Sequence, residues 1–162
     1  MWTGANVLKN STGYSLTQLI VGSEGTLAVV TKIVLRLIPL PKYDLLMLAP
    51  FNDLQKAGEA VSAIFRAGYT PSGLELMEID ALLIVSKFVD STAVPLTEDT
   101  AAHLIIEVDG NHLETLMQEM EAISELLGQY DCGEIYFADN ATQKAELWKL
   151  RDQDTQVSAP QL

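Results

Sequence analysis

The glycine-rich run from Gly22 to Ala28 (GSEGTLA) is the segment best suited to hold a ligand through its backbone. Gly22 and Gly25, three positions apart, let the chain turn tightly and come close to a bound molecule. N–H groups exposed on such a turn can donate to the phosphates or the ring of a nucleotide. The run matches neither the Walker loop nor the dinucleotide fingerprint, so by pattern alone a plain turn between a helix and a strand is the simpler interpretation.

Other residue types that often do chemistry form no constellation in the sequence. Cys132 stands alone, and we interpret it as a small buried hydrophobic residue. His103 and His112 have no second ligand at metal-binding spacing, so no metal site is expected. Glu75 and Glu78 are three apart at the end of a strand and would point to opposite faces of a sheet, which argues against a paired-carboxylate mechanism.

Composition narrows the class of protein and its partners. The 162 residues are 48% hydrophobic, enough for an ordinary core, and the net charge is −12. This charge argues against nucleic acid or anionic membrane as the partner, because phosphate binding needs clustered Lys and Arg. A single cysteine, with no signal peptide visible at the start, favours a cytoplasmic location. The apolar stretches are short and interrupted by charges, so no membrane span is expected.

Charge and proline positions predict a domain boundary near residue 41. Four basic residues and one acidic residue lie in residues 1–42, whereas the acidic excess lies entirely after them. Pro39 and Pro41 would terminate a strand and stiffen a linker. We therefore assign residues 1–41 to one domain and residues 42–162 to a second.

Hydrophobic patterning predicts the elements of both parts. Ser15 is expected to cap a short helix ended by Gly22, and residues 29–38 alternate as a half-buried strand does. After the prolines, strands are predicted at 43–51, 72–78, 103–110 and 133–139, with helices from Asp53 to Gly68, at 80–88, at 111–127 and from about 140. Two β-α-β units of this kind form a ferredoxin-like α+β fold, with helices on one face of an antiparallel sheet.

Residues 1–41 cannot bury a hydrophobic face alone, since they contain one predicted strand, one short helix and a turn. They are expected to be the last strand and loop of a domain whose body lies upstream. An unpaired strand of this kind can add to a neighbouring chain, so a homodimer is expected as well.

The string from Lys9 to Pro41 resembles the closing segment of the FAD domain in flavoproteins of the vanillyl-alcohol-oxidase type. It is most similar to the D-lactate, glycolate and D-2-hydroxyglutarate dehydrogenase group, which typically reads K-x-x-T-G-Y-D-L and then L-x-x-G-S-E-G-T-L-G-I-I-T. The matching positions are Lys9, Thr12, Gly13, Tyr14, Leu16, Leu19 and the block Gly22–Leu27. Ser15 and Ala28 depart from the family's Asp and Gly.

Two downstream segments resemble the FAD-linked oxidase C-terminal domain of the same proteins. Leu74–Glu78 (LELME) is similar to its L-E-x-x-D stretch, and Glu146–Arg151 (ELWKLR) to its L-W-x-x-R-E element. The resemblance implies that Arg151 and Thr155 hold the carboxylate of a hydroxy acid. It further implies FAD contacts at Gly22, Ser23, Glu24, Gly25, Thr26, Leu27, Val29 and Val30. The alternative interpretations are a solvated cation near a helix end for Arg151 and an ordinary surface residue for Thr155.

The function implied by the resemblance is the FAD-dependent oxidation of a small D-2-hydroxy acid to the 2-oxo acid. The family's histidine-rich motif and pyrophosphate loop are absent from the sequence, so we expect no catalytic residue in this chain and no activity from the chain alone. The hydroxy acid and the electron acceptor are left open. Two alternatives remain: a non-catalytic ferredoxin-like module that binds a small acid or mediates assembly, and a flavoprotein of the same fold with a non-redox reaction.

Overall fold

The structure is a computed structural model that describes residues 1–4, 7, 9, 11–80 and 99–158, and the side chains of all of these except 150 and 152–158. The chain divides into two compact units, Met1–Pro39 and Leu40–Leu162. The helix predicted at 80–88 lies outside the described residues, apart from its first position.

The first unit contains one helix, α1 (Leu16–Ile20), which begins where the sequence predicts. Ser15 is its N-cap, and the Ser15 side chain accepts from the N–H of Gln18. The strand predicted at 29–38 is not formed, because residues 28–41 are neither helix nor strand. A strand exists only where a neighbour supplies hydrogen-bond partners, and the described residues of this unit supply none.

The second unit is built on a four-stranded antiparallel sheet. Its strands are β1 (Tyr43–Phe51), β2 (Gly73–Glu78), β3 (Ala102–Gly110) and β4 (Tyr136–Phe137), in the order β2-β3-β1-β4. The helices that lie fully within its described residues are α2 (Leu54–Arg66), α3 (Leu113–Gly128) and α4 (Ala141–Ser158). The strands of the two β-α-β motifs, β1-α2-β2 and β3-α3-β4, alternate in this sheet order, which confirms the predicted ferredoxin-like α+β fold.

Helix α2 shows how local sequence signals fix an element. Asp53 caps its start by accepting from the N–H groups of Gln55 and Lys56. After the helix ends, Gly68 adopts a φ of +90°, a conformation that side chains with a Cβ rarely adopt. The cap and this glycine agree with the predicted ends, so the helix forms within two residues of its predicted limits.

Helices α2 and α3 pack on one face of the sheet, as predicted. Their buried side chains meet the buried set Met47, Ala49, Phe51, Leu104, Ile106 and Val108. The opposite face is also covered, and this feature was not predicted. Leu147 and Trp148 of α4 pack there against Leu46, Leu48 and Ile105. Strands β1 and β3 are therefore largely buried on both sides, as is typical of central strands covered by two layers, although the α4 side of β3 also carries the polar His103 and Glu107.

The last strand, β4, is shorter than predicted, with two residues of the expected seven. It pairs with Met47 and Leu48 of β1. Beyond the ladder, the N–H groups of Gly133 and Ala138 donate to backbone oxygens of β1. The predicted segment thus follows the edge of the sheet over most of its length, although only its centre forms a regular ladder. In the part of the chain described, no helix is long and apolar enough to cross a bilayer.

Candidate functional site

The glycine-rich run of the first unit folds as two consecutive β-turns. In the first turn, the Ser23 N–H donates to the Ile20 carbonyl oxygen at 3.1 Å. Its central residues are Val21, with φ −61° and ψ 126°, and Gly22, with φ +82°. These angles are those of a type II turn, in which the third position needs a positive φ. Glycine at position 22 follows from that requirement.

The second turn begins at once, with the Thr26 N–H donating to the Ser23 carbonyl oxygen at 2.9 Å. Both of its central residues have positive φ, +48° at Glu24 and +78° at Gly25, as in a type I′ turn. The Thr26 hydroxyl donates to the same Ser23 oxygen at 2.6 Å. The Gly-Ser-Glu-Gly-Thr order is therefore set by backbone geometry, and it leaves a surface loop with few side-chain atoms on its glycines.

The residues after the turn present apolar side chains to solvent. Val29 is 90% exposed, and Leu35 and Leu37 are 73% and 87% exposed. Ala28, which replaces the family's glycine, is half-buried and is not among the residues with positive φ, so an alanine is tolerated there without backbone strain. An exposed apolar stretch of this length is typical of an interaction surface.

In the second unit, one row of α4 side chains faces the sheet. The row consists of Lys144, Leu147, Trp148 and Arg151. The middle two residues are adjacent and lie three or four positions from each of the outer two, which places all four on one side of a helix. Leu147 is buried within the core under α4. Each of the other three contacts a carboxylate on a different strand, so the row is anchored at several points.

Trp148 makes the central contact of this row. Its indole Nε1–H donates to Glu107 Oε2 at 2.8 Å, and the Ser72 hydroxyl donates to Glu107 Oε1 at 3.1 Å. The Trp148 ring lies over Gly73, where a β-carbon would be only 3.0 Å from its Cη2 atom. Glycine at position 73 is thus required by the close approach of the indole to strand β2.

Ion pairs flank Trp148 on both sides. Lys144 Nζ lies 2.7 Å from Asp44 Oδ2 and also donates to the Asp44 carbonyl oxygen. One turn after Trp148, Arg151 Nη2 lies 3.4 Å from Glu75 Oε1. The side chains of this second pair are 41% and 38% exposed, so solvent reaches both. The guanidinium is therefore held at the sheet surface, where a dissolved carboxylate can meet it.

The predicted substrate residues occupy the same helix. Arg151 and Thr155 both lie in α4, four positions apart. The Thr155 side chain is outside the described part of the structure. The predicted FAD contacts all lie in the other unit, at the two turns and directly after them. The roles assigned to these residues remain predictions.

The remaining side chains that could do chemistry, the cysteine and the two histidines, lie in or against the core or at a helix end. Cys132 packs against the core beneath α2 and α3, and burial raises the pKa of its thiol to about 11, so it stays protonated and unreactive at neutral pH. His103 is fully buried in β3, and His112 is the N-cap of α3. Among the described residues, no three His, Cys, Asp or Glu side chains are grouped to hold a metal ion.

Sequence reasoning missed the three carboxylate partners of α4, which are Asp44, Glu75 and Glu107. Glu75 lies in the LELME segment, and its partner Arg151 lies in the ELWKLR segment, 76 positions later. Each segment was matched to the family separately, and the fold brings them together on one face of the sheet. Their opposite charges were the signal that could have suggested the pairing.

The fold and this surface define an α+β domain that presents an arginine on a helix docked to its sheet. Residues 40–160 match the family described as FAD linked oxidases, C-terminal domain. The chain belongs to this family, which implies FAD as the cofactor.

Several curated proteins are similar to this chain over most of its length. It is 32% identical over 151 residues to a D-lactate dehydrogenase of Anaerostipes hadrus, covering 91% of this chain and 32% of that protein. It is 33% identical over 149 residues to the glycolate oxidase subunit GlcD of Bacillus subtilis (strain 168), covering 92% and 31%. A D-lactate dehydrogenase of Archaeoglobus fulgidus is 34% identical over 148 residues, covering 91% and 31%. The chain spans about a third of the length of these relatives.

Proposed function

We propose that this chain is part of an FAD-dependent oxidoreductase that oxidises a small D-2-hydroxy acid, of the lactate, glycolate or 2-hydroxyglutarate type, to the 2-oxo acid. The observation that carries the proposal is the placement of Arg151, in a docked row of α4, at the solvent-accessible surface of the sheet. A guanidinium grips a carboxylate through two parallel N–H donors, and a carboxylate is the group common to these acids. The relatives named D-lactate dehydrogenase and glycolate oxidase subunit support the same substrate class.

In this proposal Arg151 and Thr155 bind the substrate carboxylate from one side of α4. Their task is to orient the acid, which lowers the barrier by fixing the reacting carbon in place. No residue of this chain is assigned to proton removal. We therefore expect turnover only in a protein that also contains the other two thirds of the relatives' length, and none from these 162 residues alone.

The two turns of the first unit suit the flavin by their shape. Gly22 and Gly25 carry no side chain, so a planar ring or a phosphate can approach the backbone closely. The turn hydrogen bonds use the N–H groups of Ser23 and Thr26, so the donors proposed for the cofactor are the N–H groups of Glu24 and Gly25. When bound, FAD supplies the acceptor for the hydride that leaves the hydroxy acid.

Titration with FAD, followed by quenching of flavin fluorescence, tests the cofactor assignment. The 162-residue chain is expected to bind FAD weakly, and the longer protein that contains it to bind stoichiometrically. Adding D-lactate, glycolate or D-2-hydroxyglutarate without oxygen should then bleach the flavin absorbance of the longer protein. Bound flavin that none of these acids bleaches would contradict the proposed oxidation and favour the non-redox flavoprotein.

The role of Arg151 is tested in the longer protein with Arg151→Lys and a matched control, Lys149→Ala, at an exposed cation of the same helix. Arg151→Lys keeps the charge and loses the bidentate grip, so KM for the acid should rise by about tenfold or more. The control should leave KM unchanged. An unchanged KM in Arg151→Lys would show that the bidentate grip is not used, and an equal rise in both variants would show that the effect is not specific to Arg151.

A non-catalytic acid-binding module is the rival from another class of protein. It would bind a 2-hydroxy acid through Arg151 with no dependence on FAD. Calorimetric titration of D-lactate into the FAD-free protein separates the two functions, because only the rival predicts full binding without flavin.

The cytoplasmic location is inferred from the single cysteine, and it stays a prediction.

The isolated chain is also proposed to form a homodimer through residues 28–41. Their backbone has no strand partner among the described residues, and Val29, Leu35 and Leu37 are largely exposed. Both features favour pairing with a second copy. Light scattering of the 162-residue chain should give a dimer, and charged substitutions at Leu35 and Leu37 should convert it to a monomer. A monomer at all concentrations would contradict the proposed homodimer.

A further inference from the structure

We propose that Glu75 is a positioning residue that orients the Arg151 guanidinium for the carboxylate of the acid, and so sets the affinity of the site for its substrate. This inference rests on the proposed function. Glu75 is not expected to touch the substrate, and it acts through Arg151.

Glu75 and Arg151 lie on separately anchored elements. Glu75 lies in the middle of β2, opposite Ile105 of β3, and the ladder between these strands fixes its backbone. Ile105 belongs to the core under α4, so Glu75 points to that same face. Arg151 is fixed on α4 by Leu147 and Trp148, one turn before it.

The contact between Glu75 and Arg151 restrains the guanidinium head. A long, half-exposed arginine samples many rotamers unless something holds its head. Glu75 Oε1 accepts from Arg151 Nη2 at 3.4 Å, a longer distance than the 2.7–2.9 Å of a strong charge-assisted bond. Such a contact restrains the guanidinium plane without enclosing it. A restrained plane loses less entropy when it binds a planar carboxylate.

The ion pair between Glu75 and Arg151 contributes little to the stability of the fold. Both side chains are more than a third exposed, and exposed ion pairs contribute little to folding. The sheet and α4 are already joined by the buried Leu147 and by the hydrogen bond from Trp148 to Glu107. Removing Glu75 should therefore leave the fold intact and alter the behaviour of Arg151 alone.

The first experiment uses the 162-residue chain and NMR of its arginine side chains. Glu75→Ala should increase the fast motion of the Arg151 Nε–H group, measured by its heteronuclear NOE, while the melting temperature stays unchanged. Glu75→Gln keeps an oxygen acceptor at the same distance and should restore most of the order. Glu121→Ala, at an exposed carboxylate of α3 on the other face of the sheet, serves as the control. Unaltered Arg151 dynamics in Glu75→Ala would overturn the inference.

The second experiment measures KM and kcat for D-lactate and glycolate in the longer, FAD-loaded protein. Glu75→Ala should raise KM by about tenfold with kcat nearly unchanged, because the loss is one of orientation and binding. Glu75→Gln should stay close to the unaltered protein, and Glu121→Ala equal to it. A lower KM in Glu75→Ala would mean that Glu75 competes with the substrate for Arg151, and an equal KM would mean that it has no role. Either result rejects the inference alone, whereas an unaltered protein that oxidises none of the acids rejects the proposed function itself.

Discussion

Replacing Trp148 by phenylalanine removes the donor that ties α4 to the sheet and leaves an aromatic ring over Gly73. In the folded chain this donor, Nε1–H, lies 2.8 Å from Glu107 Oε2, and both residues are half-buried. Glu107→Ala removes the acceptor instead. The pair of substitutions, together with the double variant, forms a double-mutant cycle that isolates the energy of this one contact.

The expected coupling follows from the chemistry and exposure of the pair. Hydrogen bonds to charged groups contribute roughly 1.5–3 kcal/mol to stability. Half-exposure weakens the contact, and Ser72 still donates to the other oxygen of Glu107, so that carboxylate is not left without a donor in Trp148→Phe. We therefore expect a value at the lower end, about 1.5 kcal/mol. The smaller ring of phenylalanine costs the same with or without Glu107, so this cost cancels in the cycle.

Urea unfolding followed by far-ultraviolet circular dichroism measures the four free energies without relying on the altered tryptophan. The slope of free energy against urea should be the same in all four proteins, because the unfolded surface hardly changes. Glu107→Gln is the control, since its amide oxygen still accepts from the indole. A coupling below about 0.3 kcal/mol, within the usual additivity error, would refute the claim that this contact anchors α4.

Three further predictions concern the second unit. Asp53→Ala removes the N-cap of α2 and should lower the free energy of unfolding by about 1 kcal/mol in urea, whereas Asp53→Asn, which still caps, should lower it far less. Leu104→Ala, at a fully buried site in β3, should cost about 2–5 kcal/mol in the same assay, and a loss below 1 kcal/mol would contradict the described core. The Cys132 thiol, with its pKa raised from 9.0 to about 11, should react slowly with iodoacetamide at pH 8.5 until urea unfolds the chain. Between pH 9 and 11 the unfolded thiol loses its proton first, so stability should fall as pH rises, and Cys132→Ser should remove that part of the slope.

The elements of the second unit were largely predictable because their signals are local. In α3, apolar residues at spacings of three and four predict a buried stripe made of Leu113, Leu116, Met120, Ile123 and Leu127, and the last four of these are buried. Leu113, also assigned to the stripe, is 41% exposed at the first turn of the helix. Pattern alone does not show where a neighbouring element stops covering a helix.

Residues 29–38 show the opposite case. Their alternation is what a strand requires, and no strand is formed in the described structure. Alternation specifies which side chains would share a face, but the hydrogen bonds of a strand come from a partner. A periodic pattern therefore predicts a readiness to pair, and pairing itself depends on what lies alongside.

The candidate site likewise has one part that the sequence predicts and another part that only the fold brings together. The turns at Ile20–Thr26 follow from the sequence, because positive φ at positions 22 and 25 calls for glycine. Arg151 was selected because of a resemblance to the family, but that resemblance did not predict the residues around it. Its contact with Glu75 joins residues 76 positions apart, and the contact of Trp148 with Glu107 joins residues 41 apart.

The sequence by itself determined the turns, the caps, the helical stripes and the family, since each depends on residues that are close along the chain. Only the tertiary structure decided which face of the sheet α4 covers and which carboxylates meet its cations. The physical reason is that β1 carries apolar residues on both faces, Leu46 and Leu48 on one and Met47 and Ala49 on the other, so its pattern does not show which helix covers which face. Packing then placed the Lys144, Trp148 and Arg151 row against Asp44, Glu107 and Glu75, a match that no local pattern contains.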